Sequence, residues 1–194
     1  MARPQEVVLV RHGETEWSAS GRHTGTTDVA LSDRGRAEGA ALGPLLEGWS
    51  FAAVLTSPLG RARDTCRLAG LGAHAHVDDR LREWDYGKHE GRTTAEIRVD
   101  DPGWTVWRGP CPDGETVEEV GARADALVDR VLEVDGDVAL FSHGHLLRVL
   151  AARWMGLAPV DGRLLMLDTA GLSVLSSERE QRAVRRWNEV PHPT

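Results

Sequence analysis

The sequence predicts an α/β protein of three layers, in which a mostly parallel central sheet lies between two layers of helices. Short apolar, β-branched segments alternate with helical segments along the chain, as they do in βαβ units. Two of the apolar segments also end alike, in a histidine followed by a glycine, at His12-Gly13 and His143-Gly144. The 194 residues suffice for a sizeable core, and we expect a single domain spanning residues 1–194.

The N-terminal half contains two predicted helices and three predicted strands. The first helix has Ser32 as its N-cap and extends to Gly48. The second begins at Ser57-Pro58, because proline is favoured at the start of a helix, and ends near Gly70. A polar segment, Ser18–Asp28, is predicted to be a loop. The predicted strands are Val7–Val10, Phe51–Thr56 and His74–Val77.

The C-terminal half begins with polar, tryptophan-containing segments and ends with strands. Leu81–Thr94 and Asp101–Glu115 are predicted to be loops, with a short helix at Thr94–Asp100 between them. A capping box at Thr116 begins a long helix that extends to about Val134. A buried strand follows at Asp137–Ser142, then a helix at Leu146–Met155. The last predicted strands, at a sheet edge, are Arg163–Asp168, Gly171–Ser176 and Arg182–Asn188.

Composition and charge exclude several classes of protein. The net charge of −7 disfavours broad attraction to nucleic acid or to an anionic membrane surface. No apolar run approaches the ~18 residues of a transmembrane helix. The two cysteines, Cys66 and Cys111, are predicted to be reduced thiols, and the N-terminal residues lack a hydrophobic signal region. We therefore expect a cytoplasmic protein.

The conserved geometry of α/β sheets suggests where a ligand binds. In an open sheet of this kind, ligands bind beyond the carboxyl ends of the strands. His12 and His143 both lie at such ends, and the helix after the second strand begins with Ser57, Arg61 and Arg63. Together these residues predict a compact positive pocket with backbone N–H donors from a helix N-terminus. Such a pocket suits a phosphate dianion.

The segment Leu9–Thr15, LVRHGET, resembles the signature of the histidine phosphatase superfamily, the phosphoglycerate-mutase-like group. The region Leu81–Thr94 also resembles the bacterial acid phosphatases of this superfamily. Further matching segments follow in family order: Thr24-Gly25, Leu31-Ser32, Gly35-Arg36, Thr56-Ser57-Pro58 with Arg61, Leu81-Arg82-Glu83 with Tyr86-Gly87 and Glu90-Gly91, and Ser142-His143-Gly144.

The resemblance implies a role for each of five residues. His12 would be the nucleophile that becomes phosphohistidine, and Glu83 would protonate the leaving group and then activate water. The phosphoryl oxygens would be bound by Arg11, Arg61 and His143. A neutral imidazole is a competent nucleophile, and guanidinium groups can stabilise the transferring phosphoryl group without a metal or another cofactor. A carboxyl group near bound anions tends to have a raised pKa, so we expect an acidic pH optimum.

Several assignments have competitors. Arg63 competes with Arg61 for the phosphate, and Asp85 and Glu90 compete with Glu83 as the general acid. His145 is expected at the pocket rim, because nothing near it supplies the further ligands of a zinc site. The residues expected to bind substrate are Ser18, Thr24, Gly25, Tyr86, Gly144 and His145. Expected to be surface or loop residues are His23, His74, His76 and His89.

The tryptophans of the two loops admit two interpretations. Trp84, Trp104 and Trp107 either cover the pocket or pack the loop, and we favour packing.

A phosphatase and a mutase would use the same phosphohistidine, and they differ in what accepts the phosphoryl group. The resemblance implies that a mutase needs further cations for a second phosphate. This chain has Ser18 and His145 where mutases carry asparagine, and it lacks their lysine near Thr94. Their paired arginines have no counterpart, and Trp107-Arg108 is the nearest approach.

We therefore expect a phosphomonoester hydrolase of broad specificity for small phosphorylated metabolites. The alternatives are a cofactor-dependent phosphoglycerate mutase and a non-catalytic phosphate-binding module. A homodimer formed through the C-terminal strands is also possible.

Overall fold

A six-stranded sheet forms the centre of the structure, a computed structural model that describes residues 3–191. The strand order is β3-β2-β4-β1-β5-β6, and the first four strands are parallel, whereas β5 and β6 pair antiparallel. The predicted mostly parallel sheet is thus confirmed. The predicted domain limits include residues 1–2 and 192–194, which lie outside the described residues. The strands are β1 (Val7–Arg11), β2 (Phe51–Thr56), β3 (Ala75–Val77), β4 (Asp137–Ser142), β5 (Leu172–Glu178) and β6 (Gln181–Glu189).

Helices cover both faces of the sheet, because the side chains of each central strand alternate between two apolar cores. Val7 and Leu9 of β1 pack with residues of α6 and α7. Val8 and Val10 pack on the opposite face with residues of α3 and α4. No helix within residues 3–191 is long and apolar enough to cross a membrane. The helices are α1 (Glu16–Ala19), α2 (Asp33–Ala41), α3 (Gly43–Leu46), α4 (Gly60–Leu68), α5 (Thr94–Asp100), α6 (Val117–Leu132) and α7 (Gly144–Trp154).

The prediction of one helix from Ser32 to Gly48 is wrong at its centre. Ser32 does cap α2, since its side chain accepts a hydrogen bond from the N–H of Gly35. The helix stops at Ala41, however, and a separate turn, α3, follows. Pro44 explains the break, because it has no N–H to donate and its ring would clash with the carbonyl four residues earlier.

The predicted start of the second helix is also wrong. α4 begins at Gly60, two residues after Pro58, and is capped from a distance. Both carboxylate oxygens of Asp28 lie within hydrogen-bond distance of the Gly60 N–H, at 2.9 and 3.0 Å. The polar segment before α2 therefore folds back onto the N-terminus of α4, which brings residues 24–28 close to Arg61.

Two predictions in the C-terminal part need correction. α7 begins at Gly144, two residues earlier than predicted, because the carboxylate of Glu83 accepts the N–H groups of its first turn. The predicted strand Arg163–Asp168 does not form, and residues 159–164 make a 3-10 helix instead. Its carbonyl groups bind arginines, since the Arg148 guanidinium donates to the carbonyls of residues 162 and 163.

Two glycines let the turn after β1 pass close to the start of α2. A Cβ atom at Gly13 would overlap the carbonyl group of Gly35, and a Cβ atom at Gly35 would overlap the backbone of Glu14. The N–H of Gly13 also donates to Thr65 Oγ1 of α4 at 3.0 Å. The backbone that carries His12 is therefore held between two helices.

The close approach of these backbones predicts a stability effect. Gly35→Ala should lower the free energy of unfolding by about 1–3 kcal/mol, because the added methyl group has no room without backbone movement. Gly43→Ala is the matched control, since nothing lies within 4 Å of a Cβ atom there, and it should be neutral or slightly stabilising. Urea unfolding of both variants measures the difference, and an equal effect of the two substitutions would contradict it.

Candidate active site

A pocket of about 170 Å³ lies where the carboxyl ends of β1 and β4 meet the N-terminus of α7. This is the edge at which open α/β sheets bind ligands. Most of the predicted site residues line it. The lining consists of Arg11, His12, Ser18, Gly21, Arg22, His23, Thr24, Glu83, Tyr86, Gly144, His145, Arg148 and Leu167.

His12 is buried directly after β1 and is held as a neutral imidazole. Its Nδ1 lies 2.7 Å from the carbonyl oxygen of Gly13, which can only accept, so Nδ1 carries the proton. Burial, and then the charges of Arg61 and Arg11, hold the pKa of His12 well below its usual value. Nε2 is therefore left with a free lone pair, as a nucleophile requires.

Arg11 follows the last core residue of β1 and has one donor without a partner. Its Nη1 donates to the carbonyl of Leu167 at 2.6 Å, whereas Nε is buried and has no hydrogen-bond partner among the described residues. A Cβ atom at Gly144 would lie 3.3 Å from this Nε. A buried unpaired N–H is costly, so this group would gain from an anionic acceptor beside His12.

Arg61 is fully buried beneath the pocket and connects three segments of the chain. Its Nη2 donates to the carbonyls of Thr24 and Gly25, and its Nη1 to the carbonyl of Thr27. Its Nε donates to Nδ1 of His143 at 3.1 Å. All three of its nitrogens are thus engaged within the protein, and the carboxylate of Asp28 lies 4.0 Å from Nη1.

His143 is fully buried beside His12, with 5.1 Å between the ring centroids. Because Nδ1 accepts from Arg61, the proton lies on Nε2, which is 2.8 Å from Ser57 Oγ. Burial, followed by the charge of Arg61, holds the pKa of His143 well below its usual value. Neither His143 nor Arg61 lines the pocket, so their direct contact with phosphoryl oxygens stays a prediction.

Glu83 lies at the N-terminus of α7, on the opposite side of the pocket from the turn after β1. Oε1 accepts the N–H groups of Trp84 and Leu146, each at 2.9 Å, and Oε2 accepts that of His145 at 3.0 Å. The carboxylate is 7% exposed and lines the pocket. Three backbone donors thus fix a carboxylate where it can exchange a proton with a ligand.

The competing residues of the sequence analysis lie elsewhere. Arg63 is exposed and lines a different cavity, on the outer side of α4. Asp85 accepts the N–H of Gly87, and Glu90 accepts three N–H groups of residues 25–27. None of these three residues lines the pocket, whereas Glu83 does, and the roles of Arg61 and Glu83 stay predictions.

The residues expected to bind substrate fall into two groups. Ser18, Thr24, Tyr86, Gly144 and His145 all line the pocket, although the hydroxyl of Ser18 is also part of the capping box of α1. Gly25 lies behind the wall instead. Its carbonyl binds Arg61, and a Cβ atom there would approach the carbonyl oxygen of Trp84 to 2.6 Å.

Sequence reasoning missed five pocket residues, Gly21, Leu167 and three with basic side chains. Arg22 and His23 line the rim, whereas His23 had been expected only as a surface or loop residue. Arg148 lines the wall from α7. A helical periodicity was the available signal, because Arg148 follows Gly144 by four residues and so lies on the same face of the helix.

The tryptophans pack the loop, as favoured from the sequence. Trp84 and Trp104 are buried, and their Nε1 atoms donate to carbonyls of their own loop region, those of Glu115 and Pro110. Trp107 is half-buried and lies under the guanidinium of Arg148, with 4.7 Å from Cζ to the ring centroid.

A neutral, oriented histidine in one pocket with an arginine and a carboxylate is typical of a site for phosphoryl transfer through a histidine. Comparison with known proteins agrees with this class. The model of the histidine phosphatase superfamily (branch 1) matches residues 7–190. The chain belongs to the histidine phosphatase superfamily.

Named relatives include both phosphatases and mutases. An acid phosphatase of Mycobacterium tuberculosis is 40% identical over 98% of this chain and 96% of its own length. A probable phosphoglycerate mutase GpmB of Salmonella arizonae is 30% identical over 94% of this chain and 89% of its own length. A solved structure of a Mycobacterium tuberculosis open reading frame product superposes with a TM-score of 0.92 at 40% identity, covering 97% of this chain and 99% of that one.

The buried histidines of the pocket predict that acid weakens the fold. Burial lowers the pKa of His12, His143 and His145 well below 6.5, and that of His23 to about 4. Below about pH 6.5 the unfolded chain therefore binds more protons than the folded one. The free energy of unfolding decreases as the pH is lowered. His23 alone should contribute about 2 kcal/mol to the loss between about pH 7 and pH 5.

Urea unfolding at these two pH values measures the effect. His23→Asn should reduce the loss by that amount, whereas the control His76→Asn, which replaces an exposed imidazole, should leave it unchanged. A loss of the same size in wild type and His23→Asn would refute the assignment.

Proposed function

We propose that the protein hydrolyses phosphomonoesters in two steps through a phosphohistidine on His12. The observation that carries the proposal is the pairing of a neutral His12 with the unpartnered Nε of Arg11 at the same end of β1. A phosphate monoester supplies what both groups lack, an electrophilic phosphorus for the imidazole and an anionic oxygen for the guanidinium.

In the first step, Nε2 of His12 attacks phosphorus and the bond to the alcohol oxygen breaks. The Nδ1–H bond to the Gly13 carbonyl holds the ring in place and stabilises the positive charge that develops on it. Arg11 and Arg61 provide fixed positive charge near the equatorial oxygens, so the required stabilisation comes from the protein rather than from a metal. Glu83 donates a proton to the departing alcohol.

In the second step, water attacks the phosphohistidine and releases inorganic phosphate. Glu83 is now a carboxylate and removes a proton from the water, which restores the starting state of both residues. The loop residues that line the pocket are mostly polar and do not form an apolar slot for one substrate. This supports broad specificity for small phosphorylated metabolites.

Location and assembly are also proposals. The two cysteines, Cys66 and Cys111, are unpaired and buried, which supports a cytoplasmic site of action. No property of the pocket calls for nucleic acid or a membrane as a partner.

β6 lies at the sheet edge, where a second copy could pair with it, and sedimentation of the purified protein tests for a homodimer.

Trapping the intermediate tests the proposed function. Wild type mixed with a radiolabelled phosphomonoester and quenched in base should retain label that acid removes, because phosphoramidate bonds are stable in base and labile in acid. His12→Ala should retain none, because the attacking nitrogen is lost. The control His76→Ala removes an exposed histidine and should label as wild type does. No label on wild type would favour a non-catalytic phosphate-binding module.

The pH dependence follows from the state of His12. Neutral His12 is the reactive form, and burial together with Arg61 and Arg11 lowers its pKa well below 6.5. kcat/KM should therefore persist below pH 6.5 and peak at mildly acidic pH, where a carboxyl group is an effective acid. A maximum above about pH 8 would argue against Glu83 as the proton donor.

The role of Glu83 is tested by comparing leaving groups. Glu83→Gln should lower kcat/KM for an alkyl phosphate by about 100-fold or more, and less for p-nitrophenyl phosphate, whose phenolate leaves without protonation. Asp85→Asn, which keeps an acceptor oxygen for Gly87, is the control and should preserve both rates. An equal loss on both esters would assign Glu83 to holding α7 only.

The mutase alternative is favoured by the relatives named as probable phosphoglycerate mutases. Supplying 3-phosphoglycerate with 2,3-bisphosphoglycerate distinguishes the two activities. Release of inorganic phosphate supports the hydrolase. Formation of 2-phosphoglycerate without phosphate release would identify a mutase.

A further inference from the structure

The pocket contains more positive charge than one phosphate group needs. Besides Arg11, the residues Arg148 and Arg22 line it, and the buried Arg61 lies outside this lining. Among residues 3–191, no carboxylate oxygen lies within 4.0 Å of the guanidinium nitrogens of Arg148 and Arg22. They add two positive charges to the pocket that contains Arg11.

Arg148 is held in place without being neutralised. Its Nε donates to the carbonyl of Gly162 at 3.2 Å and its Nη2 to that of Arg163 at 3.4 Å, while its Cζ lies over the ring of Trp107. The side chain is half-buried, so its unpaired charge is partly removed from water. A guanidinium has five N–H groups, and the remaining ones are available to an anion in the pocket.

His145 adds a neutral donor next to Arg148. Burial raises the pKa of Tyr86 well above 10.0, so its hydroxyl stays protonated, and the hydroxyl oxygen lies 2.6 Å from Nδ1 of His145. The hydroxyl can thus donate to Nδ1, and with Tyr86 as the donor the neutral ring carries its own proton on Nε2. Arg22, at the rim, uses Nη1 to donate to the carbonyl of Gly91 at 3.0 Å and keeps its other donors.

We propose that Arg148, with His145 and Arg22, binds a second anionic group on the alcohol part of the substrate. The inference rests on the proposed function and narrows it, because monoesters that carry a carboxylate or a second phosphate should be preferred over esters of neutral alcohols. The reacting phosphate stays at Arg11 and His12, and the second anion lies against the wall formed by α7 and Trp107. Arg148 is a specificity-determining residue in this arrangement, and it takes no part in the bond-breaking steps.

Matched substrate pairs test the subsite. 3-Phosphoglycerate differs from glycerol 1-phosphate by a carboxylate in place of a hydroxymethyl group, and fructose 1,6-bisphosphate differs from fructose 6-phosphate by a second phosphate. Wild type should prefer the anionic member of at least one pair. Arg148→Met should reduce that preference by about 10-fold or more, as the loss of a charge-assisted hydrogen bond does, while the rate on the neutral member changes little. The pair that responds identifies the anion.

A matched control removes an arginine that resembles Arg148 in its setting. Arg182 is also half-buried and also lies over an indole, with its Cζ 5.5 Å from the ring centroid of Trp154, but it belongs to β6 and not to the pocket. Arg182→Met changes the net charge equally and should leave every ratio unchanged. Arg148→Lys, which keeps the charge and loses the planar group, should restore part of the preference.

Three results would overturn the proposal. They are a wild type without preference in either pair, a parallel loss on both members in Arg148→Met, and an equal change of the ratios in Arg182→Met. If Arg148→Met does not fold, the substrate preference of the wild type is measured at two ionic strengths instead. The preference should weaken as the ionic strength rises from about 0.01 M to about 0.15 M, and a constant preference would reject the subsite.

Failure of the proposed function gives a different result. If wild type hydrolyses none of the four esters, calorimetric titration with 3-phosphoglycerate and with fructose 1,6-bisphosphate replaces the rates. Weaker binding in Arg148→Met than in Arg182→Met would uphold the subsite without a hydrolase. Equal binding to both variants would reject it.

Discussion

The site depends on the burial of Arg61. Its guanidinium is removed from water, which is costly unless its donors are satisfied, and carbonyls of residues 24–27 and a ring nitrogen of His143 satisfy them. One side chain thereby closes the polar loop over α4, orients the histidine after β4 and adds positive charge beside His12. Burial is the main cause of the lowered pKa of His12, and Arg61 adds the next contribution while its hydrogen bonds hold residues 24–27 in place.

A second constraint couples helix structure to proton transfer. The first turn of α7 has N–H groups without helical partners, and Glu83 accepts two of them from the loop before α5. A residue that caps a helix normally lies one or two positions before it in the sequence. Glu83, by contrast, is 62 residues away from His145 in the sequence. The long-range contact fixes the carboxylate relative to β4, so the distance between His12 and Glu83 is set by the packing of α7 on the sheet.

Much of this arrangement could be predicted from the sequence, because local signals and the strand-end histidines point the same way. The apolar segments predicted the strands. The resemblance predicted that five residues lie in one region: His12, Arg11, Arg61, His143 and Glu83. The errors have tertiary causes. The start of α4 is set by the distant Asp28. No strand forms at residues 163–168, where side chains of Arg148, Trp187 and Arg11 bind the carbonyls of residues 163, 166 and 167.

The place of Arg148 in the pocket was not predicted for a related reason. It depends on the contact with Trp107 and on the other residues of the pocket, which are distant in sequence.

The packing of the segment Asp101–Glu115 has a consequence for divergence. Trp104 binds a carbonyl of its own loop, and the segment is also bound to the loop that carries Glu83, since the N–H groups of Lys88 and Glu115 donate to the carbonyls of Pro112 and Asp85. β1 and β4 are instead held by their neighbours in the sheet. A change in the length of this segment during evolution would therefore reach the loop of Glu83 first and spare the strand ends that carry His12 and His143.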